Sequence, residues 1–184
     1  MRLVATVALV APLYVLAACK PPPTDADMDR DTPEEELVFA SDPLPSPETE
    51  GAMWAPSART QGRLIYGKPE ELALVVLDCI NAESAAPTLR ITRLAPADEG
   101  ASALLALVGN GHIGRLPVEA RAVDDGLVWQ GELLAADLTW EPLTGPRAVG
   151  LTVPGAGRVE LNPSARVGEL VESCRAGGAP SPAP

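Results

Sequence analysis

Chemistry in this sequence starts with three thiols, Cys19, Cys79 and Cys174, and a single imidazole, His112. A thiol can act as nucleophile, metal ligand, acyl acceptor or half of a disulfide. As a nucleophile it needs a base beside it. No second histidine is available to help a serine or a thiol, and no GxSxG elbow occurs. Metal ligation of the zinc type needs paired Cys or His, and there is no CxxC. Gly109-Asn110-Gly111-His112-Ile113-Gly114 fits the pattern GxGxxG. A dinucleotide site requires a helix after that loop, so that its amino end meets the pyrophosphate. Here a β-type run follows, broken by Pro117, so the segment reads as a hairpin turn with His112 solvated. Asp124-Asp125-Gly126 reads as a turn before it reads as a calcium ligand. Glu34-Glu35-Glu36 and the Asp-rich stretch before it read as a solvated acidic linker. No catalytic residue, cofactor or metal is assigned, and the chain is not expected to be an enzyme.

Cys19 has a context of its own. Met1-Arg2 supplies one positive charge, and Leu3 to Ala18 carries none. The apolar run suits an export signal and falls short of the ~20 residues that span a bilayer as a helix. It ends in Leu16-Ala17-Ala18-Cys19, which resembles the lipobox of bacterial lipoproteins. That resemblance implies a signal peptide over 1–18, cut before Cys19, and acylation of the Cys19 thiol and of the new amino group. Two or three acyl chains would make the anchor effectively permanent, since each buried methylene contributes about 0.8 kcal/mol. Lys20, where Asp would favour inner-membrane retention, points to the outer membrane.

If lipidation uses Cys19, then Cys79 and Cys174 remain as an even pair in an oxidising compartment. A disulfide between them would tie the end of the chain to a strand far upstream; two buried free thiols are the other reading.

The net charge of −11 is unevenly placed. Between Lys20 and Ala55 ten carboxylates face two bases; from Pro56 to Ala176 fifteen face eleven. The first stretch also holds seven prolines and only one apolar cluster, Leu37-Val38-Phe39-Ala40. Like charges repel, proline stiffens, and too little apolar surface offsets the entropy of ordering. Residues 19–57 are therefore expected to form an extended, disordered tether, 58–176 a single globular domain and 177–184 a disordered tail. An acidic chain without a basic stripe is not expected to bind nucleic acid.

Within the domain the hydrophobic period is two. Apolar or alternating runs occupy Arg63 to Tyr66, Leu72 to Cys79 and Leu89 to Arg93. Ser102 to Val108 returns as Ile113 to Leu116 across Asn110-Gly111; Val118 to Val123 returns as Leu127 to Leu133 across Asp125-Gly126. Such dipeptides favour the left-handed dihedrals of tight hairpin turns. Arg147 to Val153 and Arg158 to Leu161 complete the strands, with a short helical turn expected near Ala135 to Leu138. At the end Asn162 and Pro163 suit a helix cap and first position, Val167, Leu170, Val171 and Cys174 form one apolar stripe, and Gly177 stops it. The expected fold is mainly β: an antiparallel β-sandwich or small barrel with one C-terminal helix that covers a face or plugs an end. Tyr66, Trp129 and Trp140 are the large core pieces.

From Tyr66 to Arg175 the layout resembles short envelope proteins of proteobacteria, in its Tyr66-Gly67-x-Pro69 start, its apolar strand ending at Cys79 and its closing Cys174-Arg175. No activity comes with that likeness. The architecture also resembles small β-barrel lipoproteins that inhibit host lysozyme, without their Ser-Gly-x-x-Tyr loop. The leading expectation is a non-enzymatic envelope lipoprotein, held to the membrane through Cys19, that offers its domain to an envelope protein partner or as structural support. A binding module, either a hydrolase inhibitor or a carrier of a small apolar ligand, is the alternative. A hydrolase with an unfamiliar site comes third and would need convergent polar residues in a cleft.

Overall fold

A computed structural model describes residues 41–124 and 126–177. The expected signal peptide, Cys19, residues 19–40 of the tether expected over 19–57 and residues 178–184 of the tail expected over 177–184 lie outside them. Nine antiparallel strands form one nearly closed, barrel-like sheet, which decides between sandwich and barrel. They are β1 (Met53–Pro56), β2 (Arg63–Gly67), β3 (Val75–Ile80), β4 (Thr88–Pro96) and β5 (Ser102–Gly109), followed by β6 (His112–Val123), β7 (Gly126–Leu134), β8 (Val149–Thr152) and β9 (Arg158–Leu161). Their spatial order is β1-β2-β3-β4-β7-β6-β5-β8-β9. A 3-10 turn (Leu138–Leu143) follows β7, and one helix, α1 (Ala165–Arg175), ends the fold.

Alternation sorts the side chains. Leu64 and Tyr66, Val75 and Leu77, Leu89 and Ile91, Leu105 and Leu107, and Leu151 and Val159 point inward and are buried. Each fully buried aliphatic contributes roughly 1.5–3 kcal/mol, so the lumen is the main source of stability. Asn110 and Gly111 form the two-residue turn between β5 and β6, both with positive φ (52° and 82°), as their chemistry predicts. Pro117 does not split β6. The pair Gly109↔His112 flanks the turn and is hydrogen-bonded, so by alternation Leu104↔Pro117 is not, and the missing N–H faces away from β5. On that side β6 joins β7 only from Glu119 onward.

Several expectations are corrected. The domain starts before residue 58: Trp54 on β1 is buried and stacks at 5.1 Å from Tyr66. Ahead of it, residues 44–52 run as a strap along the outer edge of β9. Leu44 N–H donates to Gly155 O (2.8 Å), Arg158 N–H donates to Ser46 Oγ (3.0 Å), and Asn162 Nδ2 donates to Thr49 O (3.0 Å) and Ala52 O (2.8 Å). Asn162 therefore does not cap the helix; Ser164 holds that position without a side-chain bond. Leu72 lies outside β3, 92% exposed, because Leu74 N–H turns back onto Tyr66 O. The helical turn sits at Leu138–Leu143, three residues later than expected, where Asp137 accepts Thr139 N–H at 2.8 Å. That bond holds the Asp137 carboxyl below its usual range.

The helix stripe is as expected. Val167, Leu170, Val171 and Cys174 are buried, and α1 lies across the barrel end formed by Cys79, Thr88 and Ala135.

Tyr66 clasps the seam. Its hydroxyl donates to Glu160 O on β9 (2.7 Å) and accepts Asn162 N–H (3.0 Å), and burial raises its pKa. Because the folded value lies above the unfolded one, this residue's contribution is complete below about pH 10 and is lost as pH rises beyond it. Tyr66→Phe is expected to cost about 1–3 kcal/mol in urea unfolding, since two backbone groups lose their partner. It should also flatten the fall in stability above pH 10.

Candidate functional site

Cys79 ends the inner row of β3 and Cys174 the stripe of α1, and their sulfurs are at bonding distance with Cα atoms 5.7 Å apart. The cross-link joins positions 95 residues apart and fixes the helix over the barrel end. Beside it, buried Asp78 accepts Arg63 Nε and Nη2 at 2.5 and 3.2 Å, a clamp between β2 and β3.

The segment matching GxGxxG is the β5–β6 hairpin, and the strand β6 follows it where a cofactor site would need a helix. His112 is exposed on it. The turn is pinned, because Asn110 Nδ2 donates to Pro142 O (2.8 Å) and Arg147 O (3.3 Å) while its Oδ1 accepts Arg147 N–H (2.9 Å). Asp124 is exposed beside residue 125, which lies outside the described residues. Among the described residues no three of His, Cys, Asp and Glu gather as a metal-ligating group. The lumen is filled by Tyr66, Leu77, Ile91, Leu105, Leu116 and Leu151, all inaccessible to solvent.

A groove of about 380 Å³ lies on the outer face of β4, β7 and β6. Alternation aims Arg90, Gln130, Glu132, Glu119 and Arg121 into it. Gly131 shapes the floor, since a Cβ there would run into the Pro117 carbonyl and the Val118 side chain. Glycine thus lets Pro117 and Val118 of β6 pass close against β7. Arg90 pairs with Glu132 (2.9 Å) and Arg121 with Glu119 (2.8 Å), while Gln130 Nε2 donates to Thr92 Oγ1 (3.0 Å). Exposed pairs of this kind contribute about 0–1 kcal/mol each, so they can be exchanged for a partner's charges at little cost. The arrangement can hold a surface carrying both signs of charge. Its signal in the sequence was polar residues at alternate positions on three strands: Arg90 and Thr92, Glu119 and Arg121, and Gln130 and Glu132.

A second basin, of about 500 Å³, lies beside Thr144, Pro146, Pro163 and Gly168 at the start of α1. Its walls are mostly small or apolar, and Glu169 and Glu172 line it.

Replacing Cys79 and Cys174 together by serine is expected to lower stability by about 4–5 kcal/mol on the loop-entropy estimate. Non-reducing mass spectrometry of the native chain should find no free thiol at either position. No family model, no curated protein and no solved structure matches this chain.

Proposed function

We propose that the chain is a membrane-anchored envelope lipoprotein whose barrel is a non-enzymatic interaction domain. The anchor reading rests on Leu16-Ala17-Ala18-Cys19 directly after an uncharged apolar run. The cross-link between Cys79 and Cys174 supports it, because such bonds persist in oxidising compartments. Among the described residues no helix is long and apolar enough to cross a membrane. The interaction reading is carried by the charged groove, which offers paired guanidinium and carboxylate groups on rigid strands. The filled lumen weighs against a carrier of apolar ligands, and the pinned hairpin leaves His112 on a fixed turn, unlike a protruding inhibitory loop.

Cys19→Ser is expected to abolish labelling by an alkyne fatty acid and to release or stall the protein; unchanged labelling overturns the anchor. For the groove, Arg90→Glu with Arg121→Glu reverses two exposed charges. Crosslinking of the lipidated chain in envelopes should then recover its partner about tenfold less, the effect of losing ~1.4 kcal/mol of binding. Unchanged recovery removes the groove from the interaction.

A further inference from the structure

Among the described residues, Arg93 is the one buried charged side chain whose partners are all neutral. It follows Leu89 and Ile91 in the inward row of β4 and is only 4% exposed. Its Nη1 donates to Leu74 O (3.1 Å) and Leu94 O (3.5 Å), and its Nη2 to Ala156 O (3.3 Å). Among the described residues Nε–H has no acceptor and no carboxylate pairs with this guanidinium. Burial lowers its pKa, as it must for a cation that has lost water and gained no counter-charge.

The pattern of open donors matters. A guanidinium has five N–H groups, and Nη2 uses one of its two. What remains is Nε–H and one Nη2–H. Nε and Nη2 form the side-on edge of the guanidinium, the fork that grips two oxygens of one oxyanion. Ala156 belongs to the turn between β8 and β9. Over that turn lies the strap, through Leu44 N–H on Gly155 O, the close approach of Pro45 O to Gly157, and Ser46 Oγ on Arg158 N–H. The turn that accepts from Arg93 Nη2 is thus covered by a proline-bearing segment that stands outside the strand ladder.

We propose that the Nε–Nη2 edge of Arg93 at the strap-covered end of the barrel is a binding site for a small oxyanion of the carboxylate or phosphate type. The anion supplies the missing counter-charge and two acceptors, and the strap closes over it. The site is separate from the outer groove and independent of the lipid anchor.

The test is a titration of the oxidised mature chain with inorganic phosphate, and in parallel with acetate, at fixed pH and ionic strength with chloride as the balancing anion. Saturable binding of one anion per chain is expected for at least one of the two, with a rise in the thermal midpoint that follows it. Whichever anion saturates names the class. Arg93→Met should lose both responses, and Arg93→Lys, which keeps the charge without the fork, should bind at least tenfold more weakly. Absence of saturation with both anions overturns the proposal. An equal midpoint rise in native chain and Arg93→Met also overturns it and identifies an adventitious ion only. Should Arg93→Met fail to fold, Arg93→Lys decides: affinity equal to the native chain's overturns the assignment.

Discussion

A sheet of nine strands that curls without fully closing leaves two unpaired edges facing each other, and the fold depends on how that gap is bridged. Here the bridge is made by side chains. The Tyr66 hydroxyl reaches from β2 to the carbonyl of Glu160 and the amide of Asn162, and Asn162 turns its own amide onto Thr49 and Ala52. One phenol and one carboxamide thereby join the second strand, the last strand and the strap. Trp54 meets the ring of Tyr66, tilted by 46°, because β1 is brought in beside β2. The disulfide performs the matching task at the far end, where Cys174 fixes α1 over the opening beside Cys79.

How much of this was legible depends on the range of the interactions involved. The Asn110-Gly111 turn and the stripe on α1 depend on residues a few positions apart, and both were readable from local chemistry. The pairing of Cys79 with Cys174 followed from counting thiols. The strap was not readable, since prolines and acids make the same composition in a free linker and in a segment laid along a strand. What separates the two is contact with Gly155, Arg158 and Asn162, more than a hundred residues away. Asn162 illustrates the same point: it has the chemistry of a helix cap, and distant carbonyls claim its amide first. Gly131 gave no signal at all, because its meaning lies in the approach of Pro117 on another strand.

The charged groove shows how a rigid β-scaffold builds a surface without a loop. Three strands aim alternate residues outward around a concave face, and a glycine at its floor lets β6 pass close against β7. Every side chain in it leaves from backbone fixed by ladder bonds, so little ordering entropy is lost on contact. The cost lies in desolvating guanidinium and carboxylate groups, which are already neutralised in pairs. Such a face favours a partner of matching charge pattern over a merely greasy one.

The alternation of proline at 43, 45 and 47 has a consequence for crowding. A bare terminal strand is a template on which another copy can add its own strand. Beside β9 lies a segment in which every second residue lacks a donor, so no ladder can propagate through it. Where copies of such a chain are crowded together, neighbours meet far more often than in dilute solution. A border that cannot template its neighbour keeps them as separate units.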